Sequence, residues 1–276
     1  MNSVVAGSSH LRSHVLEQMV KLAYEAGEKI MRVYASPFEV EMKGANDPVT
    51  AADREANAWI VAGLAHFDLP IVAEESDPTT YAAYASEAAS FFVDPLDGTR
   101  EFVARNGEFA VMIGLAEAGV ATAGVIHCPV AKRTIVGSVD GQAYERTAQG
   151  GRLDLKVDEP PARPRVLVSR SHRPIELERW LEILDAETET RGSAGYKAMM
   201  VATGQAHAYV YVGGAGCRWD ACAPEAILRA AGARVSDQRG CAFDYAASDL
   251  TNREGFIAAP PGLHGSLLDS LAKVLR

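Results

Sequence analysis

Between residues 69 and 139, five apolar runs of strand length follow one another: LPIVA (69–73), FFVD (91–94), FAVMIGLAE (109–117), VATAGVIHC (120–128) and RTIVGSV (133–139). Runs this short, rich in Val, Ile and Phe and bounded by turn residues, form strands rather than helices. Only Ala118 and Gly119 separate the third from the fourth, which dictates a tight hairpin and therefore an antiparallel sheet. Upstream, Leu11, Val15, Met19, Leu22, Ala26, Ile30 and Val33 recur at helical spacing, and Asp53 to about Phe67 reads as a second helix. The first part of the chain is thus α+β.

Proline and charge cluster in DEPPARPR (158–165), which divides the chain into lobes of 1–157 and 158–276. Beyond it, strand RVLVS (165–169), helices near Ile175 to Leu184 and Ser193 to Thr203, strand HAYVYV (207–212), helix Asp220 to Ala231 and strand FIAA (256–259) alternate. That alternation predicts an α/β second lobe.

The chain carries 36 acidic and 27 basic side chains, a net charge of −9, which argues against binding a nucleic-acid polymer. The imbalance is local: residues 1–150 hold 20 acids and 11 bases, whereas 151–276 hold 16 of each, with 13 arginines among the bases. Cations on one side and an anionic ligand on the other fit that division. The four cysteines form no CxxC pair, so zinc-knuckle and thioredoxin chemistry are excluded, and they are expected to be reduced in a cytoplasmic protein. The start, MNSVVAGSSHLRSHV, does not read as a secretory signal. The longest uncharged run, Ala198 to Cys217, is broken by glycines, Gln205 and His207, so no membrane insertion is expected.

No phosphate loop, GxGxxG, HExxH or GxSxG motif is present. The chain instead places carboxylates at the ends of apolar strands: Glu74 and Glu75 after LPIVA, Asp94 closing FFVD, and Asp97 in DPLDGT. A rigid strand end facing a loop-lined crevice suits a hard cation that needs oxygen ligands. Pro95 stiffens the turn so that Asp94 and Asp97 can converge, with a backbone carbonyl between them. If Thr99 opens a helix, the Gly98 and Thr99 amides form an anion site beside them. Taken singly, each motif has a plainer explanation. DPLDG is ordinary turn chemistry, Thr50-x-x-Asp53 is a helix capping box, and Asp220 can cap the helix that follows it.

Taken together, DPVTAAD (47–53), AEES (73–76), DPLDGT (94–99) and WDACAPEAI (219–227) resemble, in order and spacing, the signatures of the inositol monophosphatase-like, magnesium-dependent, lithium-sensitive phosphatases. The resemblance runs from about residue 11 to the C-terminus. Within that family, DPLDGTREFVARNGEFAVMIGL (94–115), VSRSH (168–172) and GSAGYK (192–197) look most like the 3′(2′),5′-bisphosphate nucleotidase branch, in which GSSLK is the commoner form of the last segment. The resemblance implies a layered αβαβα sandwich, with an antiparallel sheet in a metal-binding N-terminal lobe and a mixed sheet with helices in a substrate-binding C-terminal lobe.

It also implies that Glu74, Asp94, Asp97, Asp220 and the Leu96 carbonyl hold two or three Mg²⁺. Asp53 and Thr99, with Glu74, would orient and deprotonate the attacking water, and the Gly98 and Thr99 amides would grip the phosphoryl group. Ser169, Arg170, His172, Ser193 and Lys197 would receive the nucleotide, with His172 stacking on adenine and Lys197 or Arg170 meeting the phosphate that is not cleaved. The implied reaction is hydrolysis of adenosine 3′,5′-bisphosphate to AMP and phosphate, with the 3′-phosphorylated sulfate donor as a companion substrate. The implied partners are a small nucleotide and, as oligomeric partner, a second copy of the chain. Two rival readings keep the family and change the role: an inositol or sugar phosphatase with the same metal chemistry, or a catalytically silent binder of metal or nucleotide.

Overall fold

In the computed structural model, which describes residues 2–44, 47–147, 150–214 and 216–275 with side chains from residue 12 onward except at 47, the N-terminal apolar spacing gives helix α1 (Asn2–Tyr34). Val15, Met19, Leu22, Ala26 and Ile30 are buried along one stripe of it; the side chain of Leu11 lies outside the described residues. A hairpin, β1 (Glu41–Gly44) and β2 (Asp47–Val49), leads into α2 (Ala51–Leu64), which a 3-10 turn prolongs to Phe67. Thr50 and Asp53 form the expected capping box.

The large sheet runs in chain order through β3 (Ile71–Ala73), β4 (Ala89–Asp97), β5 (Ala110–Glu117), β6 (Val120–Cys128), β7 (Arg133–Ser138), β8 (Ala143–Arg146) and β9 (Arg152–Leu155), with a short helix α3 (Thr99–Val103) between β4 and β5. Only β3 with β4 is parallel; every later pair is antiparallel. Ala118 and Gly119 make the β5–β6 turn, both with positive φ (49° and 78°) as a type I′ hairpin requires.

The second lobe adds β10 (Arg165–Ser169), α4 (Ile175–Ile183), β11 (Glu187–Arg191), α5 (Ala194–Ala202), β12 (Ala208–Tyr211), β13 (Gly216–Cys217), α6 (Trp219–Ala230), β14 (Arg234–Ser236), β15 (Thr251–Asn252), β16 (Phe256–Ala259) and α7 (Pro261–Leu271). Its sheet has the order β11-β10-β12-β16-β14. It is parallel across β11, β10 and β12 and antiparallel at β16, so it is mixed.

Side-chain alternation builds the layers. Phe91, Val93, Val111, Ile113, Val125 and Val136 turn to α1 and α2, while Phe92, Met112, Ile126 and Ile135 turn to α5 and α6. In the second sheet Leu167, Tyr209 and Phe256 face those same two helices, and Val166, Val168, Val210 and Ile257 face α4 and α7. The result is the αβαβα sandwich that the resemblance implies. Because α5 and α6 are shared by both sheets, one core runs across the two lobes.

The close approach of α6 has a sequence cause. Gly114, Gly124 and Gly137 are paired in register across β5, β6 and β7. A Cβ at Gly124 would stand 2.6 Å from the Ala223 carbonyl oxygen, and one at Gly137 2.7 Å from the Ile227 Cα. This row of missing side chains is the trough in which α6 lies, and α6 carries Asp220.

Candidate active site

The DPLD of the DPLDGT segment is the last part of β4 rather than the free turn its composition suggests. Asp94 pairs with Met112 and Asp97 with Ala110, so three steps along β4 face two along β5. In a regular strand residues three apart point to opposite faces; the extra residue of this bulge corrects the parity and turns both aspartates to one side. Pro95 fits there because a bulge needs no ladder donor from it. Gly98 follows with φ 92° and opens α3, and Thr99 is the first residue of that helix, as expected.

Asp220, in the first turn of α6, completes the group: Asp94, Asp97 and Asp220 each offer an oxygen within 4.8 Å of the other two. Asp220 does not cap its helix, since Arg218 holds that position, but its Oδ2 accepts the Cys217 amide at 2.6 Å. Glu74 lies one step beyond the Ala73–Val93 pair, its amide bonded to the Val93 carbonyl at 3.1 Å. It lines the same cleft outside the three-aspartate group, with Lys43 Nζ at 3.2 Å from its Oε1 and 2.5 Å from Glu75 Oε1. Lys43, from the β1 hairpin, was not singled out in the sequence because nothing local distinguishes it from a surface lysine.

Crowding and burial act together on these acids. Burial first, then Glu74, Asp97 and Asp220, push Asp94 well above the ordinary carboxylate range. Burial and Asp220 push Glu74 up to about 8, and burial and Asp97 push Asp220 up to about 7. Mutual repulsion among buried carboxylates favours whatever cation they can share. A donor set made wholly of hard carboxylate oxygens, with the Leu96 carbonyl beside it, fits Mg²⁺. The Leu96 carbonyl accepts the Thr99 hydroxyl at 3.2 Å.

Asp53 serves two purposes at once. Its Oδ2 accepts the Thr50 amide (2.8 Å) and hydroxyl (2.7 Å), which is the helix cap, while its Oδ1 accepts the Thr99 hydroxyl at 3.0 Å. Burial raises its pKa against the pull of those bonds. The bonds that make the cap also aim the carboxylate at Thr99.

The C-terminal lobe supplies the rest of a cleft of about 610 Å³ whose lining includes the expected Gly98, Thr99, Ser169, His172, Ser193 and Lys197, together with Arg100, which the sequence did not single out as a site residue. Ser169 Oγ accepts the His172 amide at 3.1 Å, and the exposed His172 ring meets Tyr211 edge-on at 5.9 Å. Partial burial and the charges of Arg100 and Lys197 lower the His172 pKa.

Two expected phosphate receivers are committed elsewhere. Arg170 is not in the cleft lining; its guanidinium binds Glu101 (3.0 Å) and Glu108 (2.6 Å). Lys197 is buried, lowered to about 8 by burial, and donates to the carbonyls of Gly192 (3.0 Å) and Ser193 (2.7 Å). Ser193 caps α5 and its hydroxyl is bonded to Asp97, so it supports the acidic group. Sequence reasoning missed the aromatic wall of Tyr209, Tyr211, Trp219 and Phe256. Its signal was present in HAYVYV, where period two puts Tyr209 and Tyr211 on one face.

The family model described as "Inositol monophosphatase family" matches residues 11–276. The chain belongs to the inositol monophosphatase family. Among members, it is 38% identical over 258 residues to the 3′(2′),5′-bisphosphate nucleotidase CysQ of Escherichia coli O157:H7, covering 92% of this chain and 100% of that protein. It is 40% identical to the protein of the same name from Salmonella typhimurium, covering 88% and 96%. In structure it is similar to CysQ from Bacteroides thetaiotaomicron, a bacterial member of the family, with a TM-score of 0.77 at 30% identity over 90% of this chain and 97% of that one. The family fold extends to the Thermotoga maritima IMPase, with a TM-score of 0.81 at 23% identity over 95% and 98%. Among the described residues no helix is long and apolar enough to cross a membrane.

Proposed function

We propose that this chain is a Mg²⁺-dependent 3′(2′),5′-bisphosphate nucleotidase that hydrolyses adenosine 3′,5′-bisphosphate to AMP and phosphate, with the 3′-phosphorylated sulfate donor as a second substrate. The observation that carries the reading is an aspartate group opening into a cleft of about 610 Å³ whose lining includes Tyr209, Tyr211, Trp219 and Phe256. The full-length similarity to relatives named as nucleotidases supports it over inositol and sugar phosphates. The intact set Asp53, Glu74, Asp94, Asp97, Thr99 and Asp220 supports catalysis over silent binding.

In this reading Glu74, Asp94, Asp97, Asp220 and the Leu96 carbonyl hold two or three Mg²⁺. Held there, Mg²⁺ would supply Lewis acidity for water activation and charge neutralisation at the phosphoryl group. Thr99 Oγ1, whose own proton points to Asp53 Oδ1, takes the proton of the attacking water and passes its own to Asp53. The raised pKa of Asp53 suits it to keep that proton through the step. The Gly98 and Thr99 amides at the start of α3 receive the phosphoryl oxygens.

His172, with Tyr211 behind it, stacks on adenine, and Ser169 fixes the His172 backbone. Arg100, which lines the cleft beside His172, takes the phosphate that is not cleaved. Arg170 acts from behind the cleft through Glu101 and Glu108, while Ser193 and Lys197, in its lining, hold Asp97 and the Gly192–Ser193 backbone. We place the protein in the cytoplasm, as a dimer, with lobes of 1–157 and 158–276.

Phosphate release from adenosine 3′,5′-bisphosphate, inositol 1-phosphate and fructose 1,6-bisphosphate, each with Mg²⁺, tests the reading. The nucleotide should have the highest kcat/KM, by at least about tenfold. A preference for either sugar ester would overturn the assignment.

A further inference from the structure

Asp97 is held from the opposite lobe. Ser193 Oγ donates to its Oδ2 at 2.5 Å, and the Gly195 amide reaches the same oxygen at 2.6 Å. Both bonds fall on Oδ2, so they orient the carboxylate without using Oδ1. Ser193 makes its bond from φ 49°, ψ 126°, a backbone state that a residue with a Cβ adopts only where the surroundings impose it.

Three neighbouring side chains impose it. The amide of Gly192 donates to Glu108 Oε2 at 2.9 Å. The same Oε2 accepts Arg170 Nη2 at 2.6 Å, and Glu108 Oε1 accepts Arg191 Nη1 at 2.7 Å. On the other side of the loop, a Cβ at Gly192 would stand 2.1 Å from the Glu101 Cδ, so the backbone is seated directly on that second glutamate. Lys197 Nζ ties the carbonyls of Gly192 and Ser193 from within. Glu108 is 7% exposed, and although burial alone raises its pKa, the Gly192 amide and the two guanidiniums lower it below the ordinary carboxylate range. It lies in the link from α3 to β5, on the chain segment that also carries Asp97. A closed path thus runs from Asp97 to Ser193, Gly192 and Glu108, and back along the chain.

We infer that Glu108 is a positioning residue of the metal centre: clamped by Arg170 and Arg191, its carboxylate fixes the Gly192–Ser193 backbone so that Ser193 Oγ and the Gly195 amide aim Asp97 at the cation. The inference rests on the reading of Asp97 as a metal ligand. A carboxylate is required because three donors converge on its two oxygens. A glutamine there would bring its own two N–H donors against one of them.

Mn²⁺ binding to the substrate-free protein, measured by calorimetry, tests this without recourse to turnover. Glu108→Gln should weaken Mn²⁺ binding about tenfold, the low end of what loss of an outer-shell partner costs. Ser193→Ala should weaken it by a similar factor, and the double variant should lose no more than the worse single, since both act along one path. In an Asp97→Asn background, Glu108→Gln should have no further effect.

Mn²⁺ affinity in Glu108→Gln within about twofold of wild type, with Asp97→Asn impaired, would overturn the inference alone. An undiminished loss in the Asp97→Asn background would do the same, because Glu108 would then act by another route. Wild-type affinity in Asp97→Asn would remove Asp97 from the metal and overturn the ligand assignment together with the inference. Should Glu108→Gln fail to fold, Ser193→Ala decides, as it deletes one hydroxyl, and unchanged affinity in it overturns the path.

Discussion

Two groups of buried carboxylates flank the DPLDGT segment, and burial acts on both in the same direction while their partners act in opposite ones. Glu74, Asp94 and Asp220 face one another and are raised. Glu108, in the link that follows α3, faces two guanidiniums and an amide and is lowered. The second group is complete as the chain folds. The first gathers carboxylates of like charge, a donor set suited to a hard divalent cation. Burial raises every one of these acids, and at Glu108 the Gly192 amide and the Arg191 and Arg170 guanidiniums outweigh it.

The largest effect expected on this contrast is at Asp94. Asp94→Asn should lower kcat by more than about a thousandfold while the metal-free protein stays folded and melts no lower than wild type at pH 8, since the substitution removes a repelling charge. Near-normal turnover would take Asp94 out of the cation site.

The next effect is on pH. Glu74 at about 8 and Asp220 at about 7 lie above the unfolded carboxylate values of about 4, so the folded, metal-free protein binds more protons than the unfolded chain between those limits. Its stability therefore falls as pH rises from about 4 to about 8. The melting temperature of chelator-treated protein should drop by several degrees across this window, and Mg²⁺ should restore more of it at pH 8 than at pH 5.5. A flat profile would mean that the acidic group is not strained without metal.

The smallest effect is at Glu101, which shares Arg170 with Glu108. The Arg170 side chain is 37% exposed and keeps its second partner, so Glu101→Gln should cost no more than about 1 kcal/mol in urea unfolding. A loss above about 3 kcal/mol would place Glu101 on a par with a fully buried pair and blur the distinction drawn for Glu108.

Legibility in the sequence followed the range of the contacts. The strands at 110–117 and 120–128 and their two-residue turn could be read directly, because alternation and turn chemistry are local. Strands β8, β9, β11 and β14 could not: RLDL and ETETR are short, polar and mostly exposed, and they become strands only because a neighbour offers a ladder. Helix α7 escaped for a related reason. Its start, PPGLHG, has the composition of a turn, and its buried face, His264, Leu267 and Leu271, has meaning only against the second sheet.

The carboxylates were equally local. Asp53, Glu74, Asp94, Asp97, Thr99 and Asp220 sit in short motifs whose order identifies the family, and the structure draws them to one cleft. The arginine count was misleading. It suggested receivers for an anion, yet Arg170 and Arg191 serve to neutralise Glu108, 62 and 83 residues away, as part of the same clamp on Gly192.

By itself, then, the sequence determined the paired strands at 110–117 and 120–128, the turn at Ala118 and Gly119, and the residue types able to hold a hard cation, because each depends on neighbours a few positions away. Only the tertiary structure decided which face of β4 the two aspartates share, since that turns on a one-residue bulge against β5. The same holds for which arginines are spent on carboxylates and for how Ser193 reaches Asp97 across 96 residues of chain. These contacts close long loops, and no short-range pattern of residues encodes the pairing that packing brings about.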